Sequence, residues 1–112
     1  ERMGVRLTYS LADAIAEADV IYALRIQLER QAAGLFPSLR EYIRLFRIDN
    51  DSLSHAPDDA LIMHPGPINR GVEIESKVAD GERSVILDQV TYGISVRMAI
   101  MSMVMGAQQL KR

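Results

Sequence analysis

The sequence predicts an α/β fold: part of a Rossmann-like parallel sheet flanked by helices, ending in a long apolar C-terminal helix. Three observations carry that expectation. Near the start, an alternating stretch, a helical face and a continuous apolar run follow one another, which is the strand–helix–strand order of a parallel sheet. A second apolar run, Leu61-Ile62-Met63, opens directly into the proline-bracketed turn His64-Pro65-Gly66-Pro67. From about Val90 to Leu110 the spacing is helical and apolar on nearly every face.

The elements follow in order. Val5, Leu7 and Tyr9 alternate with Arg6 and Thr8, which predicts a short strand. Leu11, Ala14, Ile15 and Ala18 then share one helical face, and Ser10 with Asp13 reads as a capping box at its start. Val20 to Leu24 is continuously apolar, as expected of a strand covered on both faces. Gly34 and Pro37 mark a break. Ser38 with Glu41 opens a second helix, whose apolar face is Leu39, Tyr42, Ile43 and Phe46. Residues 49–59 read as loop, with one helical turn at 51–53. Val85-Ile86-Leu87 is either a last short strand or an apolar tether. Four of the six methionines lie in 98–105, where they read as core filling or, less simply, as a Met-rich binding groove.

The chain has 112 residues with 48% hydrophobic and 25% charged side chains, the composition of one globular domain rather than a disordered or fibrous chain. It contains no cysteine, which excludes disulfides, thiolate nucleophiles and Cys-based zinc sites, and which fits a cytoplasmic location. Its two histidines, His55 and His64, have no metal-ligating spacing, so no metal is expected. A net charge of −2 gives no reason to expect a nucleic-acid surface, and no apolar run is long enough to span a membrane. The sequence starts at Glu1 without a methionine, so it is expected to be part of a longer chain.

Two segments carry residues suited to chemistry. Arg25 stands just beyond an apolar strand, where parallel α/β sheets bind ligands, and its planar fork can hold a carboxylate bidentately. Gln27 can point the same way if the chain stays extended. By residue type alone, a surface ion pair of Arg25 with Glu29 or another acid is the simpler reading. The second segment, His64 to Gly71, follows the other apolar strand and so reaches the same sheet edge. Pro65 and Pro67 stiffen the backbone around Gly66 and offer carbonyl acceptors without N–H donors, which suits a ligand bearing an NH₂ group. By itself this segment reads more simply as a rigid structural turn with His64 hydrogen-bonded into the core. Gly66 and Gly71 have P-loop spacing, but Val72 and Glu73 follow instead of Lys and Ser or Thr, so a P-loop is excluded.

Taken together the two segments resemble the aspartate carbamoyltransferase family of pyrimidine biosynthesis. Asp19-Val20-Ile21-Tyr22 leading into Arg25-Ile26-Gln27-Leu28-Glu29-Arg30 is similar to its aspartate-binding segment. Met63-His64-Pro65-Gly66-Pro67-Ile68-Asn69-Arg70-Gly71-Val72-Glu73-Ile74 is similar to its second signature. Gly93-Ile94 with Val96-Arg97-Met98-Ala99 resembles the start of its C-terminal helix. The ornithine-using sister family usually carries His-Cys-Leu-Pro at the turn and lacks the Arg-x-Gln that suits a dicarboxylate.

The resemblance implies transfer of the carbamoyl group of carbamoyl phosphate to L-aspartate, with no cofactor. It implies that Arg25 and Gln27 bind L-aspartate and that Pro65, Gly66 and Pro67 contact the carbamoyl group of carbamoyl phosphate, with a cis bond between Gly66 and Pro67. No residue here is assigned a catalytic proton transfer, and His64 is expected to orient the turn. Residues 1–89 would be the C-terminal part of the L-aspartate-binding domain. Residues 90–112 would be a helix returning to a separate N-terminal carbamoyl-phosphate domain, whose Ser-Thr-Arg-Thr motif does not occur in this sequence. The partners implied are that domain and two further copies in a homotrimer. Rival readings are an ornithine or other transcarbamoylase, and a non-catalytic binding domain of the same fold.

Overall fold

The computed structural model describes residues 3–27 and 38–109, with side chains described as far as residue 106. Two strands, β1 (Val20–Tyr22) and β2 (Leu61–Met63), pair in parallel, with Ile21 beside Ile62. The crossover between them carries α2 (Leu39–Phe46) and α3 (Asn50–Leu53), while α1 (Leu11–Ile15) precedes β1. After β2 come α4 (Ser76–Ala79) and α5 (Ile86–Gln109). This is an α/β fold whose parallel sheet has two strands among the described residues.

The helix starts follow local chemistry. The Ser10 and Ser38 hydroxyls accept the backbone N–H of Asp13 and Glu41 respectively, as their positions predict. The reciprocal capping box forms at α3: Asp49 accepts from Ser52 N–H at 2.9 Å, and Asp49 N–H donates to Ser52 Oγ at 2.9 Å. Partial burial would raise the Asp49 carboxyl, but the Ser52 N–H and the Arg47 guanidinium outweigh it and hold it below the usual carboxylate range. A depressed folded-state pKa stabilises above the unfolded value and is lost as pH falls through the folded one. Asp49→Ala in the complete chain should therefore cost about 1 kcal/mol at neutral pH, and the difference should shrink below about pH 4. Thermal melting across that range checks it.

The core gathers Ile15, Ile21, Ile48, Leu53, Ile62, Ile74, Val78 and Ile86. Ile62 and Ile74 are fully buried. A parallel bridge between Ile48 and Ile74 brings the segment after α2 alongside the segment before α4.

Five sequence expectations fail. Residues 5–9 form no strand: Val5, Leu7 and Tyr9 are exposed, because alternation makes a strand only where a neighbour completes the ladder. The run from Val20 to Leu24 is covered on one face only. Ile21 and Ala23 are buried while Val20, Tyr22 and Leu24 are exposed, and the described helices lie over the inner residues. Residues 85–87 form neither a strand nor a tether. The chain touches β2 at one bridge, Ile62 to Ser84, and Val85 N–H donates to Ile62 O; the helix begins at the next residue. That start at Ile86 lies ahead of the expected one near Val90. Ile86 is apolar because it enters the core at the helix start. The short helix α4 was not foreseen. Along α5, Leu87, Tyr92, Ile94, Met98, Met101, Met103 and Met105 are exposed in this chain, so the expected core filling by its methionines is not seen.

Candidate active site

Because β1 and β2 run in parallel, both segments that follow them emerge at one sheet edge. The ladder continues through Ala23 N–H to Met63 O at 2.9 Å, which sets residues 24–27 beside residues 64–67. Arg25 lies there partly buried, Ile26 buried and Gln27 exposed. Leu28, Glu29 and Arg30 of the quoted motif fall outside the described residues.

His64 is fully buried and organises the turn. Gly66 N–H donates to its Nδ1 at 2.8 Å, so the ring proton sits on Nε2, which donates to Glu73 Oε1 at 2.9 Å. Glu73 is also buried, and the same oxygen accepts Asn69 N–H at 2.7 Å. The imidazole is thus engaged on both nitrogens, which fits an orienting part rather than proton transfer to a ligand. The Gly66–Pro67 bond is cis, as the resemblance implied. Gly66 has φ of 65°, a left-handed conformation that a side chain would strain although there is space for one.

Polar side chains from elsewhere bind the two segments together. Asn69 Nδ2 donates to Ile26 O at 2.6 Å, between Arg25 and Gln27. From α5, Gln89 Oε1 accepts His64 N–H at 3.1 Å while its Nε2 donates to the Tyr22 hydroxyl at 2.8 Å. Tyr22, Pro65, Gln89, Gly93 and Arg97 line a cleft of about 330 Å³ at this edge. Arg70, although inside the signature, makes a bidentate ion pair with Asp80 at 2.7 and 2.9 Å. That pair lowers the Asp80 carboxyl and raises the Arg70 guanidinium, and it ties the turn to the end of α4.

None of Tyr22, Asn69, Glu73 and Gln89 stands out in the sequence as a site residue. Asn69 and Glu73 stood inside the quoted signature. Gln89 had no signal beyond being a polar residue before an apolar helical run. Among the described residues no group of three or more His, Asp or Glu could hold a metal ion. No described helix is long and apolar enough to cross a membrane.

Residues 2–104 match the family described as aspartate/ornithine carbamoyltransferase, Asp/Orn binding domain. The chain belongs to that family. It is 56% identical over 108 residues to the aspartate carbamoyltransferase catalytic subunit of Desulforamulus reducens, covering 96% of this chain and 35% of that one. The chain therefore spans about a third of the length of that relative. Among solved structures it is similar to ornithine carbamoyltransferase from Pyrococcus furiosus, with a TM-score of 0.76 and 32% identity over 87% of this chain and 31% of that one. It is also similar to aspartate transcarbamoylase from Trypanosoma cruzi in complex with carbamoyl aspartate and phosphate, with a TM-score of 0.68 and 30% identity over 84% of this chain and 28% of that one. The transcarbamoylase fold is common to aspartate- and ornithine-using enzymes, so backbone likeness does not choose the acceptor.

Proposed function

We propose that these residues form the acceptor-binding part of an aspartate carbamoyltransferase. The reaction moves the carbamoyl group of carbamoyl phosphate to L-aspartate, giving N-carbamoyl-L-aspartate and phosphate in pyrimidine biosynthesis. The α-amino group of aspartate, as the free amine, attacks the carbamoyl carbon. The bond from that carbon to the phosphate oxygen breaks, phosphate leaves with the bonding pair, and the nitrogen loses a proton. Arg25 holds the side-chain carboxylate of aspartate as a bidentate fork, with Gln27 beside it. Carbonyls around Pro65, Gly66 and Pro67 accept hydrogen bonds from the carbamoyl NH₂. Catalysis of this kind rests on orientation and on charge stabilisation at the oxyanion and phosphate, and needs no cofactor. The phosphate site belongs to a separate N-terminal domain, and the working unit is a cytoplasmic homotrimer. The two strands are then one side of a larger Rossmann-like sheet.

The observation that supports this reading is the Asn69 to Ile26 hydrogen bond, which holds the Arg25 segment and the Pro65–Pro67 turn at one edge. Arg25-x-Gln27 and the 56% identity to an aspartate enzyme favour aspartate over ornithine. The test is the complete reading frame assayed with carbamoyl phosphate and each acceptor. L-Aspartate should be carbamoylated; preference for L-ornithine would overturn the assignment.

Residues 1–112 alone should show no turnover, since they carry no phosphate motif. They should also self-associate, because α5 leaves apolar side chains uncovered along most of its length. Sedimentation and a carbamoyl-aspartate assay on the isolated chain check both points. A compact monomer would contradict the packing argument, and turnover would contradict the placement of the chemistry.

A further inference from the structure

We propose that Asn69 is a positioning residue for carbamoyl transfer: its side chain sets the spacing between the acceptor segment 25–27 and the turn 65–67. The inference rests on reading this edge as the acceptor site of a transcarbamoylase.

The two ends of the contact are held unequally. On the turn side Asn69 is fixed by its own backbone, whose N–H donates to the buried Glu73 Oε1 at 2.7 Å. Glu73 in turn is anchored in the core, where its backbone O accepts Ile48 N–H at 3.0 Å and its neighbour Ile74 is fully buried. On the acceptor side, the chain has already passed the ladder bond from Ala23 N–H to Met63 O when it reaches Ile26. The Asn69 amide then supplies a donor to the Ile26 carbonyl at 2.6 Å. Holding the middle residue of Arg25-Ile26-Gln27 by its carbonyl fixes the backbone on both sides of it, and so the stems from which Arg25 and Gln27 extend.

Only the side chain of Asn69 makes this bond. Its backbone bond to Glu73 survives any substitution that keeps an N–H, so the turn keeps its shape when the amide is removed. The defect should therefore be confined to the acceptor. A misplacement of about 1 Å can cost a hundredfold in rate, and the loss of one hydrogen bond gives a smaller change.

The experiment compares Asn69→Ala, Asn69→Ser and Arg25→Ala in the complete enzyme. Ser is a second variant that keeps a polar group but is too short to reach Ile26. Both Asn69 variants should lower kcat/KM for aspartate by about 10–100-fold. Binding of carbamoyl phosphate and the melting temperature should stay close to those of the unsubstituted enzyme. Unchanged aspartate kinetics would overturn the proposal, and so would equal loss for both substrates with a lowered melting temperature, which marks a structural role alone. If Asn69 variants are normal while Arg25→Ala is impaired, the acceptor-site reading stands without this inference. If Arg25→Ala is also normal, that reading itself fails.

Discussion

Arg25→Ala in the complete enzyme is expected to raise KM for aspartate and to lower kcat, with kcat/KM falling by about thirtyfold to several thousandfold. The magnitude follows from truncating one partner of a hydrogen-bonded charge pair, which costs about 2–5 kcal/mol, at 1.4 kcal/mol for each factor of ten. Both constants change because the same contact binds the carboxylate and aims the amino group. A dicarboxylate held at one end only attacks the carbamoyl carbon from many orientations, so orientation is lost as well as affinity. Arg25→Lys should recover little of the loss, since an ammonium group is a point charge without the planar fork. Steady-state kinetics with varied aspartate measure both, and near-normal constants in Arg25→Ala would remove Arg25 from the site.

Glu73→Ala should be the most damaging change to the turn. One carboxyl oxygen accepts from both His64 Nε2 and Asn69 N–H, and both histidine and glutamate are buried. Removing it leaves two inward-facing donors unsatisfied, at about 1–3 kcal/mol each. The melting temperature should fall. Activity should fall further than stability explains, because His64 Nδ1 holds the Gly66 N–H and a freed ring no longer fixes the turn. Glu73→Gln keeps an acceptor oxygen and should be milder on both counts. Equal stability and activity in Glu73→Ala and the unsubstituted enzyme would show that the buried pair does not shape the turn.

Local features of this fold were legible in the sequence and distant ones were not. Ser10 and Ser38 announce α1 and α2 because a cap is a contact across three residues. Leu61 to Met63 reads as a strand because its apolar run ends at a proline turn. Residues 5–9 alternate as a strand does yet form none and leave Val5, Leu7 and Tyr9 exposed, since a strand also needs a partner that no local pattern supplies. Residues 85–87 mislead for the opposite reason: Ile86 is apolar because a helix start is buried there.

The site divides along the same line. Arg25, Gln27 and the turn at 65–67 stand out by residue type and by following strands. The groups that hold them do not, because their partners are remote. Asn69 reaches Ile26 across 43 positions, and Gln89 reaches Tyr22 across 67. Such pairs become visible only when the two parallel strands bring their C-terminal ends together.

The most direct test of the central claim is a structure of the complete enzyme with N-carbamoyl-L-aspartate and phosphate bound. The product's side-chain carboxylate is expected on the Arg25 guanidinium at about 2.7–2.9 Å, as a charge-assisted pair requires. The carbamoyl NH₂ is expected on carbonyl oxygens of residues 65–67. Product bound with its carboxylate away from Arg25, or with its carbamoyl group away from the turn, would remove this edge as the acceptor site.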